Sequence, residues 1–376
     1  MDLGDSPFLQ SIDASRLTAI VRQSSRRDTL QVRDWRVQQL GGGAGNPVSA
    51  GLYRVEGIGQ DRGDQVPWSV ILKVLQSPAN TGWTDMGEGG DQAHWNYWKR
   101  ELFVYQSDLH QTLPEGMAAP HCYGVAELPG DIAWLWLEDI TDSLGGAWSL
   151  ERYALAARHL GRFNGLYSTS RPVPDYPWLG MNLIQQWRAA FQPHWQSLPW
   201  EHPLVRARYP EPEENSFRRL LMDGERFQAK LNRLPRTVCH GDTYPTNFMS
   251  RRLTGGREQT VALDWALVGV GPLGDDLGQF AFGAQFNLGE AGREHAVEAL
   301  FESYMDGLRD GGCRVDPRLV RFGFAASAAL RVGLFQVYLL HEALKQGGAA
   351  ATETAGRTAA SYSFEMAMAD AAYELL

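Results

Sequence analysis

The sequence predicts an α+β protein with two lobes, namely a small antiparallel β lobe with one long helix and a larger helical lobe. Runs of β-forming residues, separated by Gly and Asp turns, follow one another between residues 32 and 75. From Ser149 onward, apolar residues recur with helical spacing. The chain has 376 residues, 44% of them hydrophobic, which is enough for a sizeable core. We expect the lobes to span residues 1–138 and 139–376.

The N-terminal lobe is expected to begin with a helix, which an antiparallel meander of three strands follows. The first turn of the meander, at residues 41–46, is rich in glycine, which lets backbone N–H groups approach an anion. Gly42 and Gly43 are therefore candidate phosphate-binding residues. A plain flexible hairpin explains the same composition, since the run departs from G-x-G-x-x-G at Asn46. The predicted bounds are 9–24 for the helix and 32–40, 50–56 and 68–75 for the strands.

The rest of this lobe is predicted to contain one long helix and two more strands. An apolar stripe at three- and four-residue spacing runs from Trp95 to Leu109 and predicts the helix. The strands are expected at 121–128 and 132–140. The second strand leads to the segment where the two lobes should meet.

The C-terminal lobe is predicted to be mostly helical. The first helix should span 150–167 with Ser149 as its N-cap. Residues 199–214, rich in Pro, Glu and Arg, are expected to make a surface excursion. After residue 290 three helical patterns follow, and 328–344 should belong to the core. Other helices are expected at 181–198 and at 217–234.

Composition narrows the functional classes. A net charge of −9 argues against a general binder of nucleic acid or anionic membrane and leaves room for a cationic substrate. The three cysteines lie far apart and suggest neither a disulfide framework nor a zinc site. The N-terminal segment does not resemble a signal peptide. The longest apolar tract, 322–340, is interrupted by Arg331 and Gln336 and predicts a buried helix rather than a membrane span. A cytoplasmic protein is expected.

One stretch, HGDTYPTN at residues 240–247, concentrates polar side chains between apolar flanks. Asp242 and Asn247 are five positions apart, as are the Asp and Asn of the kinase catalytic-loop signature. Phosphoryl transfer requires a carboxylate that orients the acceptor hydroxyl and oxygen ligands that hold a metal on the phosphates. A nearby strand, 260–263, ends at Asp264, which supplies a second metal ligand. The pattern indicates Asp242 as the catalytic residue and Asn247 with Asp264 as metal ligands.

HGDTYPTN followed by LDWALVGVGPLGDDLG resembles the aminoglycoside phosphotransferase and choline kinase family of small-molecule kinases. The resemblance is strongest over residues 238–280. It implies a protein-kinase-like fold, the use of ATP and Mg²⁺, and a role for Asp276 in bracing the catalytic loop. The chain departs from the usual family pattern at Ala266, where many members have Glu, and at Gly278, where Ala is common. Neither departure removes a catalytic atom.

The kinase arrangement implies further nucleotide-binding residues. Lys73, inside the apolar run 68–75, is expected to bind the α- and β-phosphates, although a solvent-facing strand lysine is the alternative. Glu101 borders the apolar stripe of the predicted helix and could hold Lys73, unless it is simply a solvated carboxylate. Glu138 and Ile140 belong to the segment 138–140, whose backbone would face the purine.

His240 precedes the catalytic Asp242 by two residues and allows two interpretations. A histidine there could act as a general acid or base, because its ordinary pKa lies near neutrality. The favoured interpretation is structural, with the imidazole fixing the backbone of the loop.

The sequence therefore predicts a phosphotransferase that moves the γ-phosphoryl group of Mg-ATP to a hydroxyl of a small molecule, with a slight preference for an amino-bearing acceptor. One alternative is a protein kinase, but Gly241 replaces the Arg that precedes the catalytic Asp there, and an activation segment is missing. The other alternative is a catalytically silent nucleotide-binding protein. The identity of the acceptor, the oligomeric state and the nucleotide preference do not follow from these patterns.

Overall fold

The computed structural model describes residues 9–41, 46, 48–81, 90–145, 148–211, 213–288, 290–359 and 361–376. A β-rich part comes first and a mostly helical part follows. The strands are β1 (Gln31–Gln39), β2 (Ser49–Asp61), β3 (Asp64–Gln76), β4 (Met117–Ala118), β5 (Cys122–Leu128), β6 (Ile132–Glu138), β7 (Gly180–Met181), β8 (Arg236–Cys239), β9 (Phe248–Arg252), β10 (Glu258–Ala262) and β11 (Gly269–Pro272). The helices are α1 (Ala14–Ser25), α2 (Arg100–Gln106), α3 (Leu150–Thr169), α4 (Leu183–Gln196), α5 (Pro203–Arg208), α6 (Glu213–Met222), α7 (Gly224–Leu231), α8 (Asp275–Asn287), α9 (Glu290–Asp310), α10 (Pro317–Gln346), α11 (Gly348–Ala359) and α12 (Tyr362–Glu374).

The main sheet is antiparallel, with the strand order β1-β2-β3-β6-β5. Helix α1 packs on one face, against β1, β3 and β5, and α2 packs on the other face, against β5 and β6. Along β3, Val70, Leu72 and Val74 enter the core beneath α1. The alternate residue Leu75 belongs to the core that contains α2. Successive strand residues point to opposite faces, so Lys73 lies on the α2 side.

The predicted long helix is wrong in its length, because α2 contains only seven residues. The buried guanidinium of Arg100 explains this difference. Its Nη1 donates to the carbonyl of Trp95 at 2.6 Å, and its Nη2 donates to the carbonyl of His94 at 2.5 Å. In a continuous helix these carbonyls would accept from backbone N–H groups four residues later. Arg100 therefore holds residues 91–98 in turns, while Trp95 still reaches the core.

Two small sheets in the helical part position the catalytic segment. Strands β9 and β10 form an antiparallel hairpin, with Phe248 opposite Ala262, and β4 pairs in parallel with β10. Strand β11 lies between β7 and β8. The predicted N-cap of α3 is present, since Ser149 Oγ accepts from the N–H of Arg152 at 3.4 Å. The helix predicted at 217–234 is two helices, α6 and α7, and the predicted three C-terminal patterns form four helices.

The expected surface excursion at residues 199–214 is observed only in part, since about half of its described residues are exposed. This segment contains α5, and Arg208 and Tyr209 are buried. Arg208 forms an ion pair of 3.1 Å with Glu365 of α12, and both side chains are fully inaccessible to solvent. Glu365, the partner of Arg208, lies 157 residues further along the chain. Local composition cannot reveal such a pairing.

Helix α10 is, among the described residues, the one helix long and apolar enough to cross a membrane. Its most apolar window is 78% buried inside the protein. This agrees with the prediction of a core helix. Buried core helices can be as long and as apolar as membrane-spanning helices.

Candidate active site

In the segment between β8 and β9, one backbone position can be occupied only by glycine. Gly241 has φ of +81°, and a Cβ there would lie 2.0 Å from the carbonyl oxygen of Leu267. The left-handed conformation and the close backbone approach both exclude larger residues. The residue before the predicted catalytic Asp is thus fixed by packing against the segment that follows Asp264.

Asp276, at the start of α8, holds this segment by its backbone. Its carboxylate accepts from the N–H of His240 at 2.9 Å and from the N–H of Gly241 at 3.0 Å. Asn164 of α3 donates to the same carboxylate at 3.0 Å and to the carbonyl of Val238 at 2.9 Å. Burial raises the pKa of Asp276, and the backbone bond from Gly241 opposes that effect. This geometry agrees with a bracing role.

His240 is fully buried and uses both ring nitrogens within the loop. Its Nε2 lies 2.9 Å from the carbonyl oxygen of Leu263, which can only accept, and its Nδ1 accepts from the N–H of Asp242 at 3.2 Å. Burial lowers the pKa of His240, so the neutral ring is favoured. The arrangement favours the structural interpretation over proton transfer.

Asp242 presents a carboxylate that two amide side chains hold in place. Asn247 Nδ2 donates to one oxygen and Gln279 Nε2 donates to the other, each at 2.9 Å. Burial, followed by the negative charge of Asp264, raises the pKa of Asp242. A carboxylate offers about four lone-pair positions, so two bonds leave room for an incoming hydroxyl. The group can therefore orient a hydroxyl and accept its proton.

Asp264 is brought beside the loop by the β9–β10 hairpin. The N–H of Leu263 donates to the carbonyl of Asn247 at 2.8 Å, which joins the two segments directly. Asp264 itself adopts the left-handed conformation, with φ of 55° and ψ of 74°. This conformation is uncommon outside glycine, and Asp tolerates it better than most residues. The turn redirects the chain immediately after the strand and leaves the Asp264 side chain 31% exposed.

Lys73 connects the main sheet to this loop. Its Nζ lies 2.5 Å from Glu101 Oε2 and 2.9 Å from Asp264 Oδ1. Burial alone would lower the pKa of Lys73, but the charges of Asp264 and Glu101 raise it above its usual value. Burial would likewise raise the pKa of Asp264, yet Lys73 lowers it. The lysine is thus a buried cation between two carboxylates, and the solvent-facing alternative is wrong.

Asn247 and Asp264 were predicted as metal ligands, and their donor atoms fit a magnesium ion. The Asn247 amide nitrogen donates to the backbone carbonyl of Asp242 at 3.0 Å and to its carboxylate at 2.9 Å, which directs the amide oxygen elsewhere. Asp264 adds a partly exposed carboxylate. An amide oxygen and a carboxylate are hard oxygen ligands of the kind that Mg²⁺ binds, together with phosphates and water.

The remaining predicted nucleotide-binding residues are Gly42, Gly43, Glu138 and Ile140. Gly42 and Gly43 lie outside the described residues. The backbone N–H of Glu138 donates to the carbonyl of His121 at 2.8 Å, and its side chain pairs with Arg251 at 2.7 Å. Ile140 lies two residues beyond the end of β6 and is half-buried. Their contacts with a purine remain a prediction.

Three residues at the site were not singled out as site residues from the sequence. Gln279 lies one helical turn after Asp276 on α8, so helical spacing could have indicated it. Arg331 of α10 donates to the carbonyl of Gly241 and lies over the ring of Trp187, 4.9 Å from its centroid. It is a cation within the longest apolar tract, and that position is a usable signal. Arg100 also donates to the carbonyl of Ala266, next to Trp265 and Asp264, at 3.0 Å.

Solved structures resemble this fold over nearly its whole length. A spectinomycin phosphotransferase in complex with ADP and spectinomycin is 14% identical, with a TM-score of 0.55, and covers 98% of this chain and 100% of its own. An amicoumacin kinase in complex with AMP-PNP, Ca²⁺ and Ami is 15% identical, with a TM-score of 0.52 and 87% coverage of both chains. A choline kinase from Cryptosporidium parvum Iowa II is 11% identical, with a TM-score of 0.52, and covers 94% of this chain and 95% of its own. The predicted two-lobed kinase-like α+β fold is confirmed.

Sequence comparison gives the family. No curated protein matches the chain. The family model described as "Phosphotransferase enzyme family" matches residues 109–312, which is over half of the chain and includes the catalytic loop and Asp264. The predicted resemblance and the prediction of a small-molecule phosphotransferase are confirmed. The chain belongs to the phosphotransferase enzyme family.

Proposed function

We propose that this protein transfers the γ-phosphoryl group of Mg-ATP to a hydroxyl of a small, amino-bearing molecule, with Asp242 orienting that hydroxyl. The observation that carries the proposal is the position of the Asp242 carboxylate. It is held by Asn247 and Gln279 at 2.9 Å each. Asp264 lies beside the same loop and contacts Lys73 of β3. Nucleotide would bind between the lobes 1–138 and 139–376.

In the proposed mechanism each residue has a separate task. Lys73, held by Glu101, binds the α- and β-phosphates. Asn247 and Asp264 hold Mg²⁺, which neutralises charge on the phosphates when it is bound. Asp242 accepts a hydrogen bond from the acceptor hydroxyl, aligns it for in-line attack and takes its proton. Its raised pKa suits a group that must receive a proton near neutral pH. Most of the rate comes from positioning and charge neutralisation.

The direct contact of 2.9 Å between Lys73 and Asp264 supports this assignment. The first residue is the proposed phosphate ligand and the second is the proposed metal ligand, so each would have a binding partner in the nucleotide complex. Without that complex the two opposite charges neutralise one another. Both are buried or half-buried, where an unpaired charge is costly.

An amino-bearing acceptor is favoured by the chemistry of the chain and by its neighbours. The net charge is −9, and the catalytic carboxylate itself attracts a cation. The solved neighbours include kinases named for choline and for aminopropanol, both of which combine a hydroxyl with a nitrogen cation. We therefore place amino alcohols and amino-bearing sugars or antibiotics first among the acceptors.

The decisive experiment measures ADP release from Mg-ATP across a panel of aminoglycosides, macrolides, amino alcohols, amino sugars and nucleosides. Asp242→Asn is measured beside the native protein. An acceptor-dependent activity that falls at least ~100-fold in the variant supports the assignment, because a positioned acid–base group contributes about that much. A much smaller loss would refute the role of Asp242. ATP binding without turnover on any acceptor would favour a catalytically silent nucleotide-binding protein.

A further inference from the structure

Three metal-ligating side chains converge where α4 and α10 pack together, outside the proposed active site. His194 lies near the end of α4, and His341 and Glu342 are consecutive residues of α10. Their ligand atoms lie within 4.8 Å of one another. His341 lies ten residues beyond Arg331 on α10, which is roughly 15 Å along the helix. It is therefore distant from the contact between Arg331 and Gly241. The cluster is thus separate from the catalytic loop.

The separations between the ligand atoms are close to those of a tetrahedral site. His194 Nδ1 lies 3.0 Å from His341 Nδ1 and 3.3 Å from Glu342 Oε1. His341 Nδ1 lies 3.8 Å from the same carboxylate oxygen. Ligands at about 2.0–2.2 Å from a tetrahedral zinc ion are separated from one another by about 3.3–3.5 Å. The three observed separations lie on both sides of that value.

The hydrogen bonding of His341 leaves the required nitrogen with a lone pair. Ser197 Oγ donates its hydrogen to the carbonyl of Pro193 at 2.5 Å. It can therefore only accept from His341 Nε2, at 3.4 Å. The proton of the neutral ring is then on Nε2, and the Nδ1 lone pair faces His194. A second hydrogen bond of this kind, which fixes the tautomer and the ring orientation, is typical of histidines that bind metals.

The surroundings also restrict the His194 ring and shield the cluster. Tyr338 meets the ring edge-on, at 4.9 Å between centroids and an angle of 90°. The side chains of His194 and His341 are 10% and 14% exposed, and that of Glu342 is 31% exposed. Lys345 Nζ contacts Glu342 Oε1 at 2.7 Å, but this lysine is 53% exposed and can swing into solvent at little cost.

We propose that His194, His341 and Glu342 bind one Zn²⁺ ion, which joins α4 to α10. Two imidazoles and one carboxylate are ligands that suit zinc, and solvent supplies the fourth position. The ion acts as a structural clip beside the helices that carry Trp187 and Arg331. This proposal does not depend on the phosphotransferase activity.

The test titrates the chelator-treated protein with Co²⁺ and then with Zn²⁺, in excess Mg²⁺ so that the oxygen ligands of the active site do not take the probe. The expected result is one equivalent of Co²⁺ with the visible absorption of a tetrahedral complex, which one equivalent of Zn²⁺ displaces. Zinc should also raise the melting temperature, because it binds the folded chain.

Three variants, His194→Gln, His341→Gln and Glu342→Gln, should each lower zinc affinity by more than the ~10-fold expected for Ser197→Ala, which removes the outer hydrogen bond but leaves all three ligands. His295→Gln, at an exposed position on α9, is the matched control and should bind zinc like the native chain. Melting curves without metal establish that each variant folds. Absence of stoichiometric binding, or native affinity in Glu342→Gln, would overturn the proposal and leave a hydrogen-bonded histidine pair.

Discussion

Glu101 illustrates at the residue scale how one buried carboxylate controls a buried cation. Its side chain is 1% exposed, lies 2.5 Å from Lys73 Nζ and has its pKa raised by burial against the opposing effect of Lys73. If Glu101 is replaced, Asp264, the proposed metal ligand, remains as a carboxylate partner of Lys73. The lysine would then compete with the metal for that carboxylate instead of binding phosphate.

We therefore expect Glu101→Gln to lower kcat/KM by ~10- to 100-fold, as for a misplaced positioning group. Lys73 retains one carboxylate, so the free energy of unfolding should fall by less than the roughly 3–5 kcal/mol that a broken buried pair costs. Steady-state kinetics and urea unfolding measure the two effects. Activity close to native would show that Asp264 alone positions Lys73.

The residues that could be predicted from the sequence are those whose partners follow at short, regular spacing. Asp242 and Asn247 are five positions apart and are hydrogen-bonded, and Asp264 follows β10, which pairs with β9. The local pattern thus indicates their proximity, and their roles stay predictions. Arg331 contacts Gly241 across 90 residues, and only the packing of α10 brings it there. The sequence shows which chemical group such a residue has, but not which residues it contacts in the fold.

At the scale of elements, the loop between β8 and β9 depends on one glycine. Gly241 combines φ of +81° with a Cβ position 2.0 Å from the Leu267 carbonyl oxygen. Gly256, in the turn of the β9–β10 hairpin, has φ of +79° and nothing within 4 Å of its Cβ position. The two glycines therefore share a backbone conformation and differ in packing.

Gly241→Ala should cost more stability than Gly256→Ala and should also remove activity, because the loop must move away from Leu267. The conformational term alone is about 1–2 kcal/mol, and this is all that we expect at Gly256. Urea unfolding and the acceptor assay test both variants. Equal losses at the two sites would mean that the loop relaxes without displacing Asp242.

Element types were more predictable than element lengths. Strands β1 to β3 follow from β-forming residues between turns, and all three pair as an antiparallel meander. The seven-residue α2 does not follow from its apolar stripe, because side-chain bonds from Arg100 compete with helix formation. The guanidinium is held in this position by tertiary contacts, since it also donates to the carbonyls of Trp178 and Ala266. These contacts leave the apolar spacing unchanged.

At the scale of the whole molecule, a half-buried histidine, His159, joins the segment that leads into β4 to the helical part. His159 of α3 lies beneath Gly116, whose Cβ position would meet its ring at 2.5 Å. Thr260 of β10 accepts from Arg152 at 3.0 Å, so its hydroxyl can donate to His159 Nδ1 at 2.9 Å. A neutral ring whose Nδ1 is unprotonated can accept this bond. Burial, followed by Arg152 and other nearby arginines, lowers the pKa of His159 from 6.5 to about 4.

Between pH 6.5 and about 4, His159 therefore stays neutral in the folded chain but binds a proton in the unfolded chain. Stability from this group is fully present above that window and is lost as the pH falls through it, by at most about 1.4 kcal/mol per pH unit. His159→Gln, which cannot take up a proton, should flatten this part of the curve. Urea unfolding across the window measures the slope, with His295→Gln on the exposed surface as the control. If His159→Gln and His295→Gln give the same slope as the native chain, other groups set the acid limit of the fold.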